Sequence, residues 1–365
     1  MEKSKKISSI QGFRAITFLG VFLSHSGIDL GGLGALGVSI FLVLSGYLLV
    51  VNAHKKVLNP TNPIRYATDK MKDLYVLHIA VMFGFIVLKC VEAYLDKTVN
   101  IKLFGSAIIA NIFLVQAYIP CYKVYSFLNG PSWYLCVVFL TYLAFPVVFK
   151  KVKNWHESRC IISIFILVAI QLMIALYGFK LSQIKTDNGS AQWLTYYFPP
   201  TRLIEFLIGC ILGQIHETSK YTVARSKRLS SIIEGGIISI TILAISMYQE
   251  KKGLFQYESL KYSMLMLPMA VAWLWIPIGS SGILNVLMKS KILVTLGNIS
   301  GYCYLIHFLV IRWTLKVTRF LKLGINEYAT IVFTFLVTIM LSICWIKLIK
   351  EKRHEKSNVS LWNKT

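Results

Sequence analysis

Apolar runs of membrane-spanning length recur along the chain, separated by short polar or basic stretches. They fall at 10–28, 36–51, 74–94, 133–149, 160–179, 202–215, 232–248, 262–279, 297–315 and 328–349. At 1.5 Å of rise per residue, a helix of about 20 apolar residues crosses the hydrocarbon layer of a bilayer. A further segment, 103–119, is shorter and carries Asn111 and Gln116. The pattern predicts an all-α integral membrane protein without a separate soluble domain.

Basic residues cluster between the apolar runs, and such clusters mark cytoplasmic loops. The N-terminus, the stretch 52–73, the loop 150–159, the loop holding Lys220 and Arg225, the Lys289/Lys291 loop and the tail are expected inside. Three apolar segments lie between 52–73 and 150–159, and an odd number of crossings cannot return the chain to the same face. One segment must therefore fail to cross. Segment 103–119 is the shortest and most polar, so it is expected to be re-entrant or interfacial on the outer side. About ten transmembrane helices with both termini cytoplasmic result. The Lys316, Arg319 and Lys322 loop is then external, against the charge rule. Residues 1–350 form one transmembrane domain and 351–365 a charged cytoplasmic tail.

Composition sharpens this in two ways. The chain is 56% hydrophobic with a mean hydropathy of +0.62, above the usual range for soluble domains. Its net charge of +23, from 39 Lys and Arg against 16 Asp and Glu, would suggest nucleic acid in a soluble protein. Placed in loops between spans, that charge points instead to topology, anionic lipid or a polyanionic cofactor entering from the cytoplasm. No nucleic-acid partner is expected. The seven cysteines are scattered without a CxxC pair or Cys/His metal spacing, so neither a disulfide framework nor a metal is expected. The N-terminal apolar run lacks a small-residue cleavage site and reads as a retained first span.

Ionisable groups inside apolar helices are costly and suggest function. Arg14 and His25 share the first span, with eleven residues or about 16 Å of helix from one to the other. Either Arg14 snorkels to the headgroups and His25 lines a wet cavity, or the two carry chemistry at opposite depths. A histidine titrates near neutrality and can act as base on a hydroxyl. Arg202 and Glu205, at i and i+3, share a helix face. They form a structural ion pair, or Glu205 orients a histidine across a cavity. Asp29 is an alternative partner for His25, or a solvated loop residue. Gly31, Gly32, Gly34 and Gly37 permit a tight reversal, and the pairs Gly209/Gly213 and Gly297/Gly301 suggest close helix packing. Tyr304 and His307 share a face, with His307 a satisfied core residue or a working one. Trp133 opens its span from outside, as an interface anchor or a stacking platform. No GxSxG, HExxH or P-loop motif occurs, so hydrolase, zincin and nucleotide-binding readings lack support.

Six stretches, in order along nearly the whole chain, resemble the acyltransferase 3 family of bacterial membrane O-acyltransferases. They are Ile10–Ala15 with His25, Gly37–Phe41 with Leu44–Leu48, Asp73–Tyr75 after Arg65, Lys70 and Lys72, Ser132–Leu135 through Pro146, Arg202–Gly209, and Leu296–Ser300 with Tyr304–His307. The resemblance implies transfer of an acyl group, usually acetyl from acetyl-CoA, to a hydroxyl of an envelope or exported glycan. It implies a multi-pass protein of the plasma membrane, with His25 and Arg14 catalytic. The tryptophan motif of many members continues to a glutamate, whereas Cys136-Val137-Val138 stands here. Glu205 is the substitute candidate. Many members also carry a fused C-terminal esterase-like domain, so relay through such a domain would fall to a separate extracytoplasmic transferase.

The mechanism expected from this resemblance places acetyl-CoA phosphates on Arg14, Arg65, Lys70 and Lys72. His25 acts as general base or as acyl carrier, oriented by Glu205 or Asp29. Trp133, Arg202 and Tyr304 contact the acceptor. Two rivals use the same spans: a transporter or flippase of an anionic or lipid-linked glycan, and a non-catalytic acyl-group channel feeding a separate transferase. The Arg/His pattern of the first span does not recur in the second half, which disfavours the inverted repeat common in transporters.

Overall fold

A computed structural model describes residues 8–28, 32–56, 62–96, 100–184, 189–219, 226–249, 258–322 and 324–362. Asp29, Gly31, Lys220 and Arg225, singled out in the sequence, lie outside the described residues. Among the described residues every regular element is a helix, joined by short turns, and there is no strand. The elements are α1 (Ser8–His25), α2 (Leu33–Lys56), α3 (Pro63–Asp96), α4 (Ile101–Ile112), the single turn α5 (Tyr122–Tyr125), α6 (Trp133–Val152), α7 (Glu157–Ser182), the short α8 (Ser190–Gln192), α9 (Pro199–Thr218), α10 (Lys227–Gln249), the turn α11 (Glu258–Lys261), α12 (Leu267–Gly279), α13 (Ile283–Met288), α14 (Lys291–Phe320) and α15 (Glu327–Trp362).

Every apolar run anticipated as a span falls on a helix. Among the described residues, seven helices are long and apolar enough to cross a membrane: α2, α3, α6, α7, α10, α14 and α15. The remaining anticipated spans map to α1, α9 and the α11–α12 pair, which are shorter or more polar. Two boundaries move. The basic stretch holding Arg65, Lys70 and Lys72 is the first part of α3 rather than a linker, and α15 continues through the start of the tail to Trp362. Segment 103–119 fails to form a span. Its helix α4 has 12 residues, about 18 Å at helical rise, well short of a hydrocarbon layer. It ends in a turn at Leu114, with φ 54°.

Burial sorts the helices into a centre and a perimeter. Of the apolar window of α2, 72% is buried inside the protein, against 17% for α7 and for α15. The perimeter helices turn residues such as Ile162, Phe165, Ile240 and Phe333 outward, as a lipid-facing surface requires. At the centre, α1 packs on α2 and α14, and α2 packs on α9 and α12.

Glycines set these central contacts. A Cβ at Gly46 of α2 would collide with the carbonyl of Phe206 in α9, and one at Gly209 with the carbonyl of Val43. Likewise a Cβ at Gly12 would meet Met288, and one at Gly297 would meet Gln11. Backbones approach this closely only through small residues, which supply much of the association of helices in lipid. Gly209 and Gly213 of α9 and Gly297 of α14 are thus packing devices, as their spacing suggested, whereas Gly301 lines the cavity that holds Arg14.

Polar side chains in the interior are tied to backbone. Glu234 of α10 accepts from the amides of Leu284 (2.8 Å) and Asn285 (3.1 Å), capping the start of α13 from a distant helix. The polar residues of segment 103–119 act as braces. Asn111 accepts from Ser132 Oγ at 3.0 Å, and Gln116 Nε2 donates to the Ser132 carbonyl at 3.2 Å. Trp193 Nε1 donates to the Ala117 carbonyl at 2.9 Å. These bonds anchor the segment to the start of α6 and to the chain before α9, where the site described below is built.

Gly46→Ala is expected to lower stability by about 1–3 kcal/mol through overpacking against α9. Gly235→Ala, on a face of α10 with nothing within 4 Å of the added carbon, is expected to leave it unchanged. Thermal melting of the two variants in detergent distinguishes them.

Candidate active site

The site is built on α1 and closed by α2, α6, α9 and α14. Arg14 lies near the N-terminal end of α1 and His25 is its last residue. They open into different cavities. Arg14 lines one of about 250 Å³, with Leu44, Ser45 and Leu48 of α2, Leu74 of α3, Tyr134 and Tyr142 of α6, and Tyr304 of α14. His25 lines another of about 210 Å³, together with Ser24, Trp133, Tyr196, Tyr197, Lys261, Tyr262 and Tyr304. Tyr304 is common to both. Its hydroxyl donates to the Pro131 carbonyl at 3.2 Å, which fixes the ring between the two spaces.

The Arg14 cavity is mostly apolar. Among the described residues no hydrogen bond or ion pair reaches the Arg14 guanidinium. An arginine held in such a space is a ready partner for an anion, which it can engage through its planar fork of donors. Arg65, Lys70 and Lys72 are exposed on α3. Lys70 is one helical turn before the cavity-lining Leu74, so the two share a face. None of the three lines the Arg14 cavity, and of them only Lys70 shares the face of α3 that carries Leu74.

The His25 cavity is walled by aromatic rings. Trp133 is 5% exposed and packs on Tyr196 and Tyr197, with ring centroids 5.1 and 5.0 Å away. It is a cavity wall and not an interface anchor. Tyr196 stacks on Tyr262 at 4.3 Å. Both tyrosines belong to π-helical turns, Trp193–Tyr197 and Tyr262–Met266. Such turns shift side chains out of α-helical register and recur at functional sites. Lys261 is buried in the same wall, with its ammonium 4.7 Å from the Tyr262 ring centroid.

The nearest polar partner of His25 is His307 of α14. His25 Nδ1 and His307 Nε2 are 2.9 Å apart. His307 Nδ1 lies 3.2 Å from the Cys303 carbonyl oxygen. The His307 ring is fully buried among Phe18, Phe22 and Tyr304.

Arg202 and Glu205 stand apart from this pair. Both are 0% exposed, and Arg202 Nη1 donates to Glu205 Oε1 at 2.9 Å. Ser39 of α2 accepts from Arg202 Nη2 at 3.2 Å and donates to the same carboxylate oxygen at 3.0 Å. The expectation that Glu205 orients His25 is corrected: its carboxylate is held by Arg202 and Ser39, and His307 takes the place beside His25. Arg202 is likewise behind the aromatic wall, its guanidinium carbon 5.0 Å from the Tyr196 ring centroid. The pair ties α2 to α9 and backs the aromatic wall. Sequence reasoning named Arg14, His25, Trp133 and Tyr304, which the structure places on the cavities. It missed Tyr196, Tyr197, Lys261 and Tyr262, and left His307 undecided.

The chain matches a family model described as an acyltransferase domain over residues 7–348. It is similar to the acyltransferase MdmB of Streptomyces mycarofaciens, with 24% identity over 337 residues, covering 84% of this chain and 80% of that protein. It is similar to the putative peptidoglycan O-acetyltransferase YrhL of Bacillus subtilis (25% identity over 361 residues, 92% of this chain and 53% of that one). A third relative is the O-acetyltransferase OatA of Staphylococcus aureus, with 26% identity over 259 residues, or 67% of this chain. The chain spans 53% of YrhL and 40% of OatA. No solved structure matches it.

Glu205→Ala leaves the Arg202 charge buried without its counter-ion, so the variant is expected to lose about 3–5 kcal/mol of stability. An Arg202→Met, Glu205→Leu double variant is expected to recover much of that loss, because it buries no charge. Melting temperatures in detergent test both. A Glu205→Ala protein of native melting temperature and no turnover would instead place the carboxylate in the chemistry.

Proposed function

The chain belongs to the acyltransferase family whose model covers it, as a multi-pass membrane O-acyltransferase, and we propose that it moves an acetyl group from acetyl-CoA to a hydroxyl of an envelope or exported glycan at the plasma membrane. The observation that carries this reading is the pair of cavities that meet at Tyr304. One offers an arginine with no hydrogen-bond or ion-pair partner among the described residues, and the other a histidine among aromatic rings. A transferase joining a cytoplasmic donor to an external acceptor needs two such spaces with a common wall.

In this reading the donor enters the Arg14 cavity from the cytoplasm. Arg65, Lys70 and Lys72 collect its phosphates at the approach, and Arg14 holds negative charge deeper in, where low dielectric strengthens the contact. The pantetheine arm is long and thin, which suits a narrow apolar passage toward His25. The acceptor enters the other cavity. Trp133, Tyr196, Tyr197 and Tyr262 offer flat faces to a sugar ring, and Lys261 adds a polar contact.

His25 acts as general base. Its ring takes the proton of the acceptor hydroxyl as that oxygen attacks the thioester carbonyl carbon. The tetrahedral intermediate collapses with cleavage of the carbon–sulfur bond. His25 then gives its proton to the departing thiolate, so an ester and free coenzyme A are formed and the ring returns to its starting state. The relatives' printed names, a putative peptidoglycan O-acetyltransferase and an O-acetyltransferase among them, favour acetyl as the group and a cell-wall glycan as the acceptor class.

The test uses purified protein in vesicles with radiolabelled acetyl-CoA and envelope glycan. His25→Ala is expected to lower label transfer by about 10²–10⁴-fold, the usual scale of general-base removal. Arg14→Gln is expected to raise the KM for acetyl-CoA at least about tenfold, the loss of a charge-assisted hydrogen bond. Native transfer by His25→Ala would overturn the mechanism, and glycan movement without acylation would favour a transporter.

A further inference from the structure

His307 touches neither cavity, yet it holds the ring that lines one of them. Both of its nitrogens are committed. Nδ1 is 3.2 Å from the Cys303 carbonyl oxygen. A carbonyl only accepts, so Nδ1 carries the hydrogen of this neutral ring. Nε2 is then a lone pair, and it faces His25 Nδ1 at 2.9 Å. The only hydrogen bond these two atoms can form is donation from His25 Nδ1–H to His307 Nε2. His25 is therefore the Nδ1–H tautomer, and its basic lone pair is on Nε2.

We propose that His307 is the positioning residue of the acyl-transfer site: it selects the tautomer of His25 and points its basic nitrogen at the acceptor. This rests on the proposed function, since it assigns a purpose to the His25 lone pair. The order of bonds is Cys303 carbonyl, His307, His25, acceptor hydroxyl. A base oriented by a third group is the general logic of activated nucleophiles. The orienting group differs from the usual carboxylate in being neutral.

That difference decides where the proton stops. When His25 Nε2 takes the hydroxyl proton, the His25 imidazolium keeps its Nδ1–H on His307, and the hydrogen bond becomes charge-assisted. The proton does not travel further. Passing one to His307 Nε2 would require Nδ1–H to leave toward a carbonyl that cannot hold it, or would move the positive charge onto a fully buried ring. That ring is packed against Phe18 and Phe22 at centroid distances of 5.9 and 6.3 Å, where an unpaired charge is costly. The proton therefore waits on His25 and is available to the leaving thiolate.

The aromatic packing also fixes the geometry. His307 is 0% exposed, and its ring centroid is 5.8 Å from that of Tyr304. Tyr304 is the residue shared by the two cavities. The acceptor for His25 and the wall between the cavities are thus carried one turn apart on the same helix.

The experiment compares His307→Leu, which removes the acceptor, with His307→Gln, whose side-chain oxygen can replace it. The acylation assay is run on detergent-solubilised full chain, with melting temperature as the folding control. His307→Leu is expected to lower kcat by about 10²–10⁴-fold while both KM values stay within about threefold of native, under a tenfold ratio. His307→Gln is expected to recover at least about tenfold of that loss, the worth of one hydrogen bond to a charged ring. Nitrogen-15 spectra of histidine-labelled protein, with the His25 signal identified by its loss in His25→Ala, should show the Nδ1–H tautomer in the native chain and a shift away from it in His307→Leu. The spectroscopic result does not depend on the substrate. Native kcat in His307→Leu, equal losses in the Leu and Gln variants, or a native Nε2–H tautomer at His25 would each overturn the proposal. Failure of His25→Ala to affect acylation would instead count against the acyl-transfer reading itself.

Discussion

Where α1 meets α14, the backbone carbonyl of Gln11 occupies the space in which a side chain at position 297 would begin. This close approach governs the rest of the centre. In lipid no hydrophobic force draws one apolar helix to another, so contact depends on how nearly two backbones can fit. Gly12 and Gly297 let α1 lie flush along α13 and α14, and Gly46 and Gly209 do the same for α2 and α9. With the first turns of α1 held against α13 and α14, its last residue, His25, reaches His307 at hydrogen-bond distance. A wider crossing would separate two short side chains beyond contact. The chemistry at the far end of the helix is thus set by missing side chains several turns below it.

Two groups of ionisable residues occupy the same apolar interior with different physical roles. Arg202, Glu205 and Ser39 are bonded to one another and shut off from solvent, with Arg202 Nε and Glu205 Oε2 left without a hydrogen-bond partner among the described residues. Such a closed set fixes the register of two helices and is costly to break. Arg14 and His25 instead face open space, and Arg14 has no hydrogen-bond or ion-pair partner among the described residues. A buried charge facing a cavity and left unneutralised by the protein is suited to a ligand's charge. The contrast between closed and open polar groups, more than their depth, separates framework from working site.

Much of this was legible along the chain. Hydropathy placed the spans, and the parity of the basic loops singled out segment 103–119, whose helix proves too short to cross. Arg14 and His25 announced themselves because a charge on an apolar helix needs a reason. Helical spacing correctly joined Arg202 to Glu205, but it could not say that Ser39 of α2 bonds to both. His307 and His25 are 282 positions apart, and no periodicity within a helix encodes which other helix it will touch. The tyrosines of the aromatic wall were hidden for another reason. Tyr196 and Tyr262 are aimed by π-helical turns, so an α-helical wheel assigns them to the wrong face. The polar Asn111 and Gln116 read as obstacles to crossing, and they also brace the start of α6.

The placement of Tyr304, which lines both cavities, has an electrical consequence. A membrane potential is worth about 2.3 kcal/mol per elementary charge per 100 mV, and it falls across whatever part of the path is least conducting. If water fills both spaces, most of that fall is concentrated at Tyr304 instead of being spread over the bilayer. Any ion crossing there would do so against or with nearly the full voltage. A neutral acyl group passing that point, as in the transfer proposed above, would do no work against the potential.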